Sequence, residues 1–166
     1  MYRKIEDFIE DWKSEESSTL KIFACIPEDV KSKKSNENIR SLERLAWHIT
    51  QTLTEMPFRA GIVDEDTLDN LPIPKSFMEI TETYKKHSAA LMRQIQEKWT
   101  DSGLMEKIDV YGQQWERRKV LSILVMHQAH HRAQMTVLMR LSKLPVPGIY
   151  GPSKEEWSTY GMTAQE

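Results

Sequence analysis

The run Arg117-Arg-Lys-Val-Leu-Ser-Ile-Leu-Val-Met-His-Gln-Ala-His-His-Arg-Ala-Gln-Met-Thr-Val-Leu-Met-Arg-Leu-Ser-Lys143 decides the fold. No proline or glycine interrupts it, and Val120, Leu124, Met135, Leu138 and Leu141 recur at the three-and-four spacing of one helix face. Pro145, Pro147, Gly148, Gly151 and Pro152 follow and forbid continuation. A helix from about Arg117 to Lys143 with one apolar stripe must bury that stripe against further elements.

The remaining sequence supplies three more helices. Ile5, Phe8, Ile9, Trp12, Thr19, Ile22, Phe23 and Ile26 keep a helical period, broken only by a Ser/Glu-rich turn from Ser14 to Ser18, which predicts one long first helix ending before Pro27. A polar stretch, Lys31 to Asn38, separates it from Leu42, Leu45, Ile49, Thr52, Leu53 and Met56. The second helix is expected from about Ile39 to Met56, because Pro57 disfavours helix in the residue before it. Arg59 to Pro74 has the composition of a loop, with Gly61, several acidic residues and two prolines. Ser76-Phe-Met-Glu79 then reads as a capping box opening a third helix, about Phe77 to Trp99, with Phe77, Ile80, Tyr84, Leu91 and Ile95 inward. Ile108 to Gly112 reads as a short extended segment, and the tail with Trp157 is expected to fold back on the bundle.

Four amphipathic helices predict an all-α chain, a four-helix bundle with a short C-terminal extension, organised as a single domain over residues 1–166. A chain of this size hides roughly 70% of its unfolded surface, enough for a core without staples. The long loop between the second and third helices permits a crossover connection.

Composition narrows the function. The chain has 23 basic and 25 acidic residues and no Lys/Arg block interleaved with aromatics, so nucleic acid is not an expected partner. The lone Cys25 cannot form an internal disulfide and reads as a small buried apolar residue without a catalytic role. The opening Met-Tyr-Arg-Lys-Ile-Glu-Asp-Phe lacks the apolar stretch of a secretory signal, which predicts a cytoplasmic location. No apolar run approaches the roughly 18 residues of a membrane span.

His127 and His131, four residues apart on the last helix, bring their Cβ atoms within roughly 5 to 6 Å, close enough to share one ion. They belong to the stripe Val120, Leu124, His127, His131, Gln134 or Met135, and Leu138, so both rings are expected to face the interior, where an unpaired polar ring is costly. His130 flanks that stripe and reads as a solvent or interface residue. A third ligand must come from another helix, and the pattern alone leaves His48 and His87 level: one follows Leu45 by three, the other follows Tyr84 by three. The bland alternative is a set of core histidines satisfied by hydrogen bonds.

Rival chemistries fail on residues. His127-Gln-Ala-His-His131 has Gln128 where a zincin-type protease has its glutamate base. No glutamate lies three before any histidine, which disfavours a di-iron carboxylate bundle. The glycine-rich phosphate loops, the G-x-S-x-G elbow and the C-x-x-C pair are all lacking.

With Leu42-Glu-Arg-Leu-Ala-Trp-His48, His127-Gln-Ala-His-His-Arg-Ala-Gln134 and the downstream Leu-Pro-Val-Pro-Gly148, the chain resembles the DinB (DNA-damage-inducible, YfiT-like) metalloproteins over most of its length. That resemblance implies a four-helix bundle and a metal site of one histidine on the second helix and a His-x-x-x-His pair on the last. It thereby selects His48, His127 and His131 over His87. One departure is Ala133, where the resemblance leads us to expect glycine; it bears on packing more than on ligation.

The resemblance further implies a thiol S-transferase acting with bacillithiol, mycothiol or glutathione, or a related reaction, and a homodimer. Three neutral imidazoles leave an open position, so one divalent ion, zinc, nickel, iron or manganese, is the expected cofactor, with a low-molecular-weight thiol and a small electrophile as partners. Gln134 or Glu43 is expected to orient a ligand ring. A hydrolase using metal-bound water and a non-catalytic, stress-induced metal-binding protein are the alternatives. The tryptophans and the Arg132 region are the expected dimer surface.

Overall fold

The computed structural model describes residues 1–164. Among these, four long helices dominate: α1 (Ile5–Ala24), α2 (Leu42–Arg59), α3 (Phe77–Lys98) and α4 (Arg117–Leu141). A two-stranded antiparallel hairpin, β1 (Lys107–Val110) and β2 (Gln113–Glu116), sits between α3 and α4, and short 3-10 turns follow α3 and close the tail. No helix is long and apolar enough to cross a membrane.

Each helix packs against two others, in the cyclic order α1, α3, α2, α4. Helices α1 and α2 therefore lie across the bundle from each other, as do α3 and α4. The long loop between α2 and α3, where a crossover was admitted, joins neighbours; the links from α1 to α2 and from α3 to α4 make the diagonal crossings. Trp47 and Gln51 hold the α2–α3 loop against α2 by donating to the carbonyls of Leu71 (3.2 Å) and Leu68 (3.1 Å).

Local chemistry explains most helix ends. Ser41 caps α2 by accepting from the Arg44 amide, and Ser76 and Glu79 form the reciprocal capping box at α3. Helix α2 passes the expected stop at Met56: Pro57 deprives Leu53 of its donor, yet one more turn closes through Ala60 N–H on Met56 O (2.9 Å) and Ile62 N–H on Pro57 O (2.8 Å). The extended segment near Ile108 is one strand of a hairpin whose second strand, Gln113–Glu116, has no apolar alternation to betray it. Tyr111 and Gly112, both with positive φ (55° and 74°), form its two-residue turn.

Ser14 to Ser18 make no break in α1. Glu15, Ser18 and Thr19 are buried, and Glu15 and Thr19 face Arg132 of α4, itself only 2% exposed. Arg132 pairs with the Glu15 carboxylate and donates to the Glu15 carbonyl (3.2 Å) and to Thr19 Oγ1 (3.1 Å). The tail does fold back, held by polar contacts of Tyr150, Glu155 and Glu156. The Tyr150 hydroxyl donates to Glu15 (2.8 Å), Glu155 pairs with Arg140, and Glu156 accepts from the Gly148 amide (2.9 Å).

The inward stripe of α4 also differs from the apolar one. Gln128, Arg132 and Met139 are buried with Val120, Leu121, Leu124 and Met135, whereas Leu141 is 61% exposed. Arg132 is thus a core residue and offers no dimer surface, and Trp12, Trp47 and Trp99 are buried as well.

Removing one partner of a buried ion pair costs about 3–5 kcal/mol. Arg132→Ala should lower unfolding stability by that amount in urea titrations, and Arg132→Met combined with Glu15→Gln should lose much less. Equal losses would mean that packing, not charge, dominates at this contact.

Candidate metal centre

The contact between α2 and α4 gathers three histidines. His48 stands on the second turn of α2, and His127 and His131 stand one turn apart on α4. One nitrogen from each ring lies within 4.8 Å of the others. The Nε2 atoms of His127 and His131 are 3.1 Å apart, and His48 packs edge-on against both rings, with centroids at 5.0 and 4.5 Å. His87 lies apart from this group, in a separate cleft with Lys86 and Asp64.

Neighbouring residues set the ring states. Gln134 Oε1 accepts from His131 Nδ1 (2.8 Å), while its amide nitrogen donates to exposed His130 (3.0 Å). With its proton held on Nδ1, neutral His131 turns a lone pair into the cluster. His127 Nδ1 is buried without a hydrogen-bond partner, so packing and the Nε2 contact with His131 set that ring. Of the two residues expected to orient a ring, Gln134 is the one hydrogen-bonded to a histidine of the cluster. Glu43 instead faces Lys31, 3.7 Å away.

Gln128, in the place of a protease base, is fully buried. It accepts from Tyr84 (3.3 Å) and donates to Ile49 O and Thr52 Oγ1 (both 3.1 Å), so it braces three helices and reaches no cleft.

Burial is the main force pushing all three histidines toward neutrality, opposed at His131 by the Gln134 hydrogen bond and reinforced by neighbouring histidines, His130 among them, and by the charge of Arg40. His48 and His127 are lowered to about 4, and His131 is lowered as well. At neutral pH the cluster presents unprotonated nitrogens, the form that binds a metal. Two nitrogens bound to one tetrahedral zinc at about 2.0–2.1 Å stand roughly 3.3 Å apart, close to the 3.1 Å found here. The donor set and spacing fit a divalent ion.

Two clefts open beside the cluster. His131 lines one of about 550 Å³, with Arg40, Leu45, Val137, Leu138 and Leu141. His48 lines another of about 430 Å³, with Arg44, Glu55, Asp66 and Asp69. Neither contains a serine, cysteine or lysine.

A four-helix bundle with a three-histidine cluster where its second and fourth helices meet is the class that fold and site define. The DinB family model matches residues 1–166, and the chain belongs to that family. It is 34% identical over 164 residues to the Bacillus subtilis (strain 168) protein YrdA, covering 99% of this chain and 98% of the relative. Among solved structures it is similar to a DinB-like protein from Bacillus cereus ATCC 10987, with TM-score 0.84 and 35% identity over 90% of this chain and all of the other. The Bacillus subtilis DinB-like protein YjoA, at TM-score 0.70 and 18% identity, covers 89% of this chain and 99% of its own, and shares the fold.

Unfolded histidines titrate near 6.5, so between about 6.5 and 4 the unfolded chain binds more protons at these positions than the folded one. The histidine contribution is therefore fully present above 6.5 and is lost as pH falls toward 4. In chelator-treated protein, Tm should drop between pH 7.5 and 5 more steeply than in the His48→Gln, His127→Gln double variant. Parallel profiles would show that these rings titrate alike in the folded and unfolded chain.

Proposed function

We propose that the chain is a metal-dependent thiol S-transferase of the DinB family, holding one divalent ion through His48, His127 and His131 and acting on small electrophiles. The observation that carries the metal site is the approach of three neutral imidazoles, with the lone pair of His131 aimed inward by Gln134. Three such ligands leave room for an exchangeable fourth, the pattern of catalytic sites. A bound cation supplies Lewis acidity, lowering the pKa of a protic group in the open position.

The chain's own residues support an external nucleophile. Cys25 ends α1, lines neither cleft beside the histidines, and has its thiol pushed up by burial, which makes it a poor thiolate. Gln128 is not ionisable and is committed to the core. A thiol suits the larger cleft better than water does, because Leu45, Val137, Leu138 and Leu141 make one wall apolar.

Metal analysis of the purified chain should find about one ion per chain, lost in His127→Ala. Gln134→Leu should keep the stoichiometry and weaken zinc binding about 10- to 100-fold, as loss of a ring-orienting hydrogen bond does elsewhere. The metal-loaded protein should consume a chromogenic electrophile only when a low-molecular-weight thiol is added. Turnover without thiol would replace the transferase by a hydrolase. No turnover, with a Tm lowered by chelator, would leave a structural ion.

A further inference from the structure

The two clefts beside the histidines differ in charge. On the His48 side, Glu55, Asp66 and Asp69 stand around the opening with one cation, Arg44. On the His131 side there is no carboxylate: one cation, Arg40, faces an aliphatic wall of Leu45, Val137, Leu138 and Leu141. Arg40 is exposed, and among the described residues no carboxylate pairs with it, although ten other ion pairs form. It lines the same cleft as His131.

An unpaired guanidinium beside apolar surface is a fork for a carboxylate or similar anion whose remaining body avoids water. Val137 and Leu141, four residues apart on α4, are 59% and 61% exposed and carry the apolar wall of the cleft out to solvent. The cleft volume of about 550 Å³ suits a small molecule.

We propose that the cleft on the His131 side selects small molecules that combine an apolar body with one anionic group, the anion resting on Arg40 and the body on Leu45, Val137, Leu138 and Leu141. The inference deepens the transferase reading and rests on it for the identity of the reacting end, which meets the histidines. The anion enters on this side because the other cleft sets three carboxylates against the one cation Arg44 and is net acidic. Arg40 is a specificity residue here: it touches the ligand's charge and takes no part in bond making.

Hexanoate, hexanol and hexylamine serve as probes of the full chain, read by methyl NMR at Val137, Leu138 and Leu141 with and without zinc. Hexanoate should bind most tightly and hexylamine least. Arg40→Gln should weaken hexanoate about tenfold, the loss expected of one charge-assisted hydrogen bond at a partly exposed site, and leave hexanol unchanged. Arg40→Lys should recover part of the loss. Hexanoate binding indifferent to Arg40→Gln would overturn the proposal, because the carboxylate would then sit elsewhere. So would hexylamine binding as tightly as hexanoate, or methyl shifts that follow protein concentration, which would mean that a second copy covers the wall. Lack of zinc uptake with Arg40-dependent hexanoate binding intact would sink the metal site and leave the anion cleft standing.

Discussion

The bundle is organised by a constraint on α4, whose inward face carries Gln128, His131 and Arg132 where a simple amphipathic helix would carry aliphatic groups. Buried polar groups must find partners or destabilise the fold by amounts comparable to its whole margin. Gln128 and Arg132 find theirs on other helices, whereas His131 bonds to Gln134 and His127 of α4 and packs on His48 of α2. Arg132 reaches Glu15 and Thr19 of α1, Gln128 reaches Ile49 and Thr52 of α2 and Tyr84 of α3, and His131 lies against His127 and His48. Such contacts are directional, so they set the rotation of α1, α2 and α3 about α4 more sharply than apolar packing alone. Further rigid pairs, such as Trp12 Nε1 donating to Ser88 Oγ at 2.9 Å, tie α1 to α3.

The candidate site inherits that rigidity. Gln128 pins α4 to α2 one turn from His131, so the spacing between His48 and the α4 pair is set by a buried hydrogen bond as well as by the rings. Gln134 adds the tautomer, and Arg40 and Arg44 add a positive field that keeps protons off His48. A group of imidazoles held neutral, close and partly open to two clefts is ready for a cation without large rearrangement.

The fold was largely legible in the sequence because its helices carry regular apolar stripes and α3 a capping box at Ser76; the Ser41 cap, which starts α2 at Leu42 and not at Ile39, went unread. The same reading misplaced features written in polar residues. Ser14 to Ser18 looked like a break in the first helix because hydrophobic periodicity cannot register that Glu15 and Thr19 are the inward partners of Arg132. The inward face of α4 was centred one residue off, on Leu138 and Leu141, for the same reason: Gln128 and Arg132 count as surface in any apolar pattern. The hairpin's second strand, Gln-Gln-Trp-Glu, is exposed at Gln113 and Gln114, half-buried at Trp115 and Glu116, and has no period to find. At the site, the His-x-x-x-His spacing was plain, whereas the choice between His48 and His87 needed the family resemblance, because both follow a core residue by three. Arg40 and the leucine-lined cleft lay beyond reach, since they come together only once the segment before α2 meets the end of α4.

X-ray absorption at the zinc edge of the loaded protein tests the central claim most directly. The account predicts about three imidazole nitrogens at about 2.0–2.1 Å with their outer-ring scattering, plus one light-atom ligand that is exchanged for sulfur near 2.3 Å on adding a thiol. A shell of carboxylate oxygens without imidazole scattering, unchanged in His127→Ala, would place the ion elsewhere and contradict it.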